Sequence, residues 1–130
     1  MDEEILARIG GASKCSWAVN SLLTSRLLTR TTKVQIYTTI VRPVATYACE
    51  TWALTKDHER QLLVFEHGIL RRILGPVRDE ETGQWKRRHN RELRVLTGLP
   101  PITNFVRSQR LRWVGQAARM NPGSLVRQVL

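Results

Sequence analysis

Arginines that could hold phosphate groups gather in the last third of the chain. Residues 85–130 contain ten basic residues and one acidic residue, a net charge of +9, whereas residues 1–84 have a net charge of +1. Arginine outnumbers lysine 17 to 4, and its flat guanidinium can bind two phosphate oxygens at once. This bias predicts RNA, DNA or an RNA–DNA hybrid as the partner, with a merely solvated basic face as the alternative. The candidate residues are Arg87, Arg88, Arg91, Arg94, Arg107, Arg110, Arg112 and Arg119.

Two of these arginines belong to a set of four residues that are spaced as on one side of a helix. Ser108, Arg112, Gly115 and Arg119 follow one another at intervals of four, three and four residues, which places them on one side of a helix. The small residues would let a nucleic-acid backbone approach the helix, and the arginines would pair with its phosphates. Because this pattern specifies no base edge, we expect recognition of shape and charge rather than of sequence.

The acidic residues do not favour catalysis. Polymerases that use two metal ions hold them with clustered carboxylates, but the aspartates here are Asp2, Asp57 and Asp79, with no adjacent pair. Glu66 is expected to pair with a neighbouring arginine, because no nucleophile lies near it in the sequence. The chain is therefore predicted not to be an enzyme and to use no cofactor.

Histidine and cysteine spacing does not favour a metal site either. Cys49, His58 and His67 are separated by nine residues each, which matches no common zinc pattern, and we expect the histidines to be solvated on helices. Cys15 and Cys49 form no Cys-x-x-Cys pair. With no secretory signal in the sequence, we expect reduced thiols and an intracellular protein of the nucleus or the cytoplasm. No apolar run is long enough to span a bilayer, so no membrane partner is expected.

Tryptophan makes up half of the aromatic residues, with four of eight. Trp52 and Trp113 fall on helical faces that should be buried, so we expect core packing with each indole N–H bonded nearby. Trp85 borders the basic segment and is the better candidate for stacking on a base. Trp17 stays undecided between the two roles.

The elements that must position these residues are predicted to be helices. The best-bounded helix begins after the N-cap Thr55 and ends at Gly75. Before it, either a kink or a division into two shorter helices is expected at residues 10–11. A further helix is expected to be capped at residues 31–32, and Pro43 should either bend that helix or start a new one. After it, residues 79–83 are predicted to form an exposed loop, and residue 90 is predicted to cap a short helix. A last helix is predicted to start at residues 100–101 and to reach about residue 120.

Several short motifs occur in an order that resembles the C-terminal part of reverse transcriptases from non-long-terminal-repeat retrotransposons. They are Lys33, Tyr37, Val41, Pro43 and Tyr47 at regular spacing, then residues 50–52 (ETW), 66–75 (EHGILRRILG), 85–93 (WKRRHNREL) and 110–115 (RLRWVG). The chain departs from the family at residues 48–49, where Gly-Ser is usual, and at Gln116, where His is usual. Both departures are compatible with a decayed or truncated element.

The resemblance implies the thumb of the polymerase and the segment that follows it, without the palm that carries the catalytic aspartates. It therefore implies a mainly α fold, with a thumb-like helical bundle over residues 1–75, an acidic loop over 76–84 and a basic helical arm over 85–130. By the resemblance, a thumb grips primer–template duplex and packs on a palm domain of a longer parent polypeptide. Two hypotheses follow: a nucleic-acid-binding fragment, or a translated element remnant with no selected function that self-associates through apolar faces.

Overall fold

The protein is mainly α-helical. The computed structural model describes residues 2–119, apart from the side chains of Asp2 and Thr51. Helices account for 72% of these residues, which confirms the predicted fold class. The elements are α1 (Asp2–Ala18), α2 (Asn20–Leu23), α3 (Arg30–Ile36), a π-helical turn (Tyr37–Val41), α4 (Arg42–Thr46), a 3-10 turn (Cys49–Thr51), α5 (Lys56–Leu74), β1 (Val77–Arg78), β2 (Trp85–Lys86), α6 (Asn90–Thr97) and α7 (Ile102–Ala118).

Helix α5 has the boundaries that the sequence predicts. The Thr55 hydroxyl accepts a hydrogen bond from the His58 amide, and His58 Nδ1 accepts one from the Thr55 amide, which forms a capping box. Gly75 follows the last turn with a φ of 72°, a backbone conformation that glycine adopts without steric cost. Local residues therefore fix both ends of the central helix.

The first helix does not break at its glycine pair. Helix α1 runs unbroken through Gly10 and Gly11 and ends at Ala18, so the predicted division into two shorter helices is wrong, whereas a kink at this pair stays a prediction. A methyl group added at Gly11 would lie 3.6 Å from Cγ1 of Val44 on α4. The small residue therefore stands where α1 packs closely on α4, and this packing outweighs the low helix propensity of glycine.

The region around Pro43 changes its helical geometry. Thr29 caps α3 by accepting a hydrogen bond from the Thr32 amide at 3.2 Å, so the cap lies two residues before the predicted one. The π-helical turn then precedes α4, which has Pro43 in its first turn. Because proline has no amide hydrogen and its ring crowds the preceding turn, the regular α-helical bonding is interrupted just before it.

Residues 79–83 form the predicted loop, which is mostly exposed and joins two short strands that were not predicted. Strands β1 and β2 are antiparallel and pair Val77 with Lys86 and Arg78 with Trp85. The Asp79 carboxylate accepts a hydrogen bond from the Glu81 amide at 3.0 Å and pairs with Lys86 Nζ at 2.7 Å. The Lys86 ammonium, followed by the Glu81 amide, lowers the pKa of Asp79. The Asp79 carboxylate therefore helps to hold the two ends of this loop together.

Residues from both halves of the chain build one core. Leu93 of α6 and Ile102 and Val106 of α7 are buried with residues of the earlier helices; the set includes Ile5, Leu23, Tyr37, Val41, Trp52, Leu62, Ile69 and Leu70. Helix α6 begins at Asn90, so its N-cap is His89 and not Asn90 as predicted. Helix α7 ends at Ala118. Met120, to which the last helix was expected to reach, lies outside the described residues. The three-part domain division stays a prediction, although α6 and α7 pack on the bundle.

None of the helices between residues 2 and 119 combines the length and the apolar character that crossing a bilayer requires.

Candidate nucleic-acid interface

The eight predicted arginines divide into two groups of four. Four are exposed, and their side chains form no hydrogen bond or ion pair with residues 2–119: Arg87, Arg91, Arg112 and Arg119. The other four, of which Arg107 is also exposed, donate to carboxylates or backbone carbonyls of the chain itself: Arg88, Arg94, Arg107 and Arg110. The first group is free to meet an external anion, and whether any of the eight binds nucleic acid stays a prediction.

Arg94 belongs to a buried polar cluster centred on Glu66. Glu66 is fully buried, and Arg94 Nη1 donates to its Oε1 atom. The Tyr37 hydroxyl donates to Oε2 at 2.5 Å, and the Ile102 amide donates to Oε1 at 3.0 Å. Glu66 thus pairs with an arginine as the sequence indicated, and the cluster ties α5, α6, the π-helical turn and the start of α7 together.

Arg94 also contacts His67, and the contact affects the proton on that imidazole. Arg94 Nη2 donates to His67 Nε2 at 3.1 Å. Burial, and then the charges of Arg94 and Arg71, lower the pKa of His67 to about 4. His67 is therefore neutral at pH 7. The expectation of solvated histidines is wrong for His67 and for the buried His58, while His89 is exposed.

Two arginines of α7 fasten that helix to the bundle. Arg107 Nη2 donates to Glu59 Oε1 at 2.5 Å, and Arg110 Nη1 donates to the Trp52 carbonyl at 2.7 Å. The ion pair of Arg107 is largely exposed, so it remains open to competition by other anions. Arg110 is half-buried and holds the chain just after the 3-10 turn.

The predicted stripe of α7 faces outward. Ser108, Arg112 and Arg119 are exposed, and Gly115 is half-buried. Seven residues separate the two arginines, which corresponds to about 10.5 Å along a helix that rises 1.5 Å per residue. They therefore offer two cationic groups along one side of α7, with Arg119 directly after the last residue of the helix, Gly115 between the two arginines and Ser108 before Arg112.

A basic cleft lies between α5 and the amino end of α6. Its volume is about 450 Å³, and its lining comprises Val64, His67, Arg71, Arg87, Arg88, His89 and Asn90. Arg71 Nε and Nη2 both donate to the Arg88 carbonyl at 3.2 Å, and Nη2 also donates to Asn90 Oδ1. Arg71 was not among the eight candidate arginines, although it lies in the motif of residues 66–75. The facing side chain, Asn90, lies 19 residues further along, so helical spacing alone could not reveal the pair.

The tryptophans are used in different ways. Trp52 is 1% exposed, which confirms its core role, but its indole N–H has no hydrogen-bond partner among residues 2–119, contrary to expectation. The Arg72 guanidinium lies 4.0 Å from the ring centre of Trp17. Trp113 is half-buried, and Trp85 is 68% exposed. Trp85 therefore has the exposure that stacking on a base would require.

No group of three or more histidine, cysteine, aspartate or glutamate residues within residues 2–119 is arranged to hold a metal ion. Both cysteines are free thiols. Burial raises the pKa of the Cys49 thiol to about 11, so this thiol is protonated and unreactive at neutral pH.

Comparison with known proteins gives a similarity to a transposon-derived protein. An uncharacterized transposon-derived protein of Caenorhabditis elegans is 23% identical over 122 residues, which cover 92% of this chain and 43% of that protein. The chain therefore spans less than half the length of this relative. No known protein family matches, and no solved structure matches. The similarity suggests a transposon origin. It does not identify the transposon protein as a reverse transcriptase.

Proposed function

We propose that this chain binds RNA, DNA or an RNA–DNA hybrid through phosphate contacts, without reading the base sequence. In this proposal it is a fragment of a retrotransposon RNA-directed DNA polymerase, gripping primer–template or element RNA without a catalytic site of its own. The observation that carries the proposal is the exposure of four arginines that have no partner within residues 2–119, in a segment with a net charge of +9. Unpaired cations at the surface are the groups that neutralise phosphates and release counterions.

Two sequence comparisons support a retrotransposon origin. The five motifs of the sequence resemble the thumb and post-thumb region of these reverse transcriptases. The similar protein of Caenorhabditis elegans is itself transposon-derived. A thumb-like fragment would need a palm domain of a longer parent polypeptide for polymerisation, and we expect no primer extension by this chain alone.

The outward stripe of α7 supplies the mode of binding. A strand laid along this side of α7 would meet Arg112 and Arg119 in succession, and the side chain of Ser108 could donate to a further phosphate oxygen. Arginine binds phosphate oxygens in pairs, which fixes the strand along the helix without selecting a base. Affinity should therefore depend strongly on salt and weakly on sequence.

The test is a fluorescence polarisation titration of labelled RNA, DNA and hybrid oligonucleotides at two salt concentrations. We expect binding at low salt that weakens steeply at high salt. The double substitution Arg112→Glu and Arg119→Glu should weaken binding and reduce the slope of log affinity against log salt by about 1.8 for duplex DNA, at about 0.9 per phosphate contact.

The matched control changes the same number of arginines at another exposed place. Arg26 and Arg30 are exposed and lie in the N-terminal half, so Arg26→Glu with Arg30→Glu gives the same net charge. This control should retain most of the affinity. No binding of any oligonucleotide at low salt would remove the proposed function, and equal losses in both double variants would reduce it to non-specific charge attraction.

The second candidate function is that of an element remnant which self-associates. Several large apolar side chains are exposed, and they are Leu27 (95%), Val95 (72%), Leu111 (72%) and Trp85 (68%). Exposed apolar side chains drive association when they form contiguous patches. Sizing chromatography with light scattering in high salt separates the candidates, because a monomer across a wide concentration range would contradict self-association.

A further inference from the structure

We propose that the basic cleft between α5 and the amino end of α6 binds one phosphate group of a nucleic-acid strand. The cleft is lined by Arg71, Arg87, Arg88, His67, His89, Asn90 and Val64, and none of these residues belongs to α7. This inference deepens the proposed function, on which it rests, by assigning the chemistry of one particular site.

The charge of the cleft is not balanced by its own walls. Three guanidinium groups line it, and no carboxylate does. Burial, and then the positive charge of Arg87, lower the pKa of Arg71, as expected for a cation crowded by a like charge. Glu92 pairs with Arg88 at 3.5 Å from outside the lining. A bound phosphate would supply the missing negative charge between the guanidinium groups.

Two of the arginines are already held in place. Arg71 donates to the Arg88 carbonyl and to Asn90 Oδ1 through Nε and Nη2, while Arg88 Nε donates to the Gly75 carbonyl at 3.0 Å. A guanidinium carries five N–H donors, so Nη1 of Arg71 keeps its hydrogens for another acceptor. Side chains fixed before binding lose little conformational entropy when the ligand arrives.

Arg87 completes the site in a different way. It is exposed, and its side chain has no hydrogen-bond or ion-pair partner within residues 2–119. All of its donors are therefore available, and it can fold over an anion that the fixed pair has captured. No side chain caps the amino end of α6, whose unpaired amides add a weak preference for negative charge.

The size and polarity of the cleft fit phosphate better than the other large depression does. A volume of about 450 Å³ admits a phosphate together with part of its sugar. The groove between α1 and α5, at about 540 Å³, is lined by Leu6, Ile9, Val64 and Phe65 beside three polar residues. Its single arginine, Arg60, already pairs with Asp57 at 2.6 Å. Phosphate binding is therefore expected at the basic cleft and not at the apolar groove.

The experiment uses two probes with the full chain. The first is inorganic phosphate, followed by NMR through the backbone amides and the arginine Nε–H groups, with chloride at equal ionic strength as the reference. We expect saturable shifts at residues 87–90 and at Arg71. The second is a matched pair of oligonucleotides with a 5′-phosphate or a 5′-hydroxyl, whose affinities are measured by polarisation.

The oligonucleotide experiment distinguishes a terminal phosphate from an internal phosphate of the strand. If the cleft holds a terminal phosphate, the phosphorylated oligonucleotide should bind about tenfold more tightly, since each added charge-assisted hydrogen bond is worth about that factor. If it holds an internal phosphate, the two oligonucleotides should bind equally. In both cases Arg87→Gln should weaken binding several-fold. Because the Arg87 side chain has no hydrogen-bond or ion-pair partner within residues 2–119, this change should leave the fold intact, unlike a change at Arg71.

The control for the cleft is Arg26→Gln, which removes an exposed arginine elsewhere. The inference is overturned if phosphate gives no saturable shift at residues 87–90 and Arg87→Gln binds oligonucleotides as tightly as Arg26→Gln does. Loss of the proposed function looks different, because then no oligonucleotide binds to the unaltered protein at low salt. Retention of the phosphate shifts in Arg112→Glu with Arg119→Glu would support two separate sites.

Discussion

Two regions on either side of His67 use the same residue type for opposite purposes. In the buried cluster, Arg94 pairs with the fully buried Glu66 and helps to hold four elements together. In the basic cleft, Arg87 and Arg71 face the same space without a carboxylate in the lining. Arg87 and Arg94 are only seven residues apart, so the density of positive charge in the sequence does not decide which arginine is structural.

The difference comes from where acidic residues lie in three dimensions. The fully buried carboxylate of Glu66 needs a cationic partner, because an unpaired charge in the interior is strongly destabilising. Arg94 provides that partner, and the Tyr37 hydroxyl and the Ile102 amide also donate to the carboxylate. At the surface, an arginine needs no partner from the chain, because water solvates it. The cleft can therefore keep unbalanced charge for an external ligand, whereas the core cannot.

The largest effect is expected from removing the charge of Glu66. Glu66→Gln keeps the size of the side chain but leaves the Arg94 cation without its counter-charge, and should lower the free energy of unfolding by about 3–5 kcal/mol. The control is Glu92→Gln, whose ion pair with Arg88 spans 3.5 Å and is partly exposed; it should cost less than about 1 kcal/mol. Urea unfolding measures both. Equal costs would erase the distinction between the buried cluster and the cleft.

A smaller loss is expected when one donor to Glu66 is removed. Tyr37→Phe deletes the hydroxyl that donates to the carboxylate and should cost about 1.5–3 kcal/mol, as hydrogen bonds to charged groups do. Tyr47 is 64% exposed, so Tyr47→Phe is the matched control and should be near neutral. Thermal and urea unfolding of the two variants give the comparison. A neutral Tyr37→Phe would mean that Arg94 and the Ile102 amide satisfy Glu66 by themselves.

The Tyr37 hydroxyl also makes the stability of the fold sensitive to high pH. Burial, and then the charge of Glu66, raise the pKa of Tyr37 well above 10. A raised pKa in the folded state contributes stability that is present below pH 10 and is lost as pH rises through the folded pKa. Alkaline unfolding should therefore be shifted by Tyr37→Phe more than by Tyr47→Phe. Identical alkaline profiles for the two variants would contradict this assignment.

His67, which touches both regions, sets the corresponding limit at low pH. Its pKa is lowered to about 4 in the folded chain, against 6.5 for an unperturbed histidine. A lowered pKa contributes stability that is present above pH 6.5 and is lost as pH falls through 4. His67→Gln should therefore flatten the decline of stability over this interval, and His89→Gln should not. Unfolding measured from pH 7 to pH 4 checks it, and parallel curves for both variants would place the acid sensitivity elsewhere.

The sequence predicted the elements whose ends are fixed by nearby residues. Helix α5 was predicted in full, because Thr55 and Gly75 act within one turn of its ends. The hairpin was not, because each strand has two residues and its pairing depends on a turn rather than on alternation. The role of Arg94 was hidden for a different reason. Its partner Glu66 is 28 residues away, and only the packing of α6 on α5 brings the two together.

The smallest effect on stability and the most specific effect on binding are expected at the exposed arginines. Arg87→Ala and Arg91→Ala should each change the free energy of unfolding by no more than about 0.5 kcal/mol, because neither side chain has a partner within residues 2–119. Each contact that reaches a phosphate should nevertheless lower the salt slope of binding by about 1. Urea unfolding and polarisation titrations on the same preparations measure both quantities. If a substitution lowers the free energy of unfolding but leaves the salt slope unchanged, the arginine that it removes has a structural role like that of Arg94. That residue would then not belong to the binding surface.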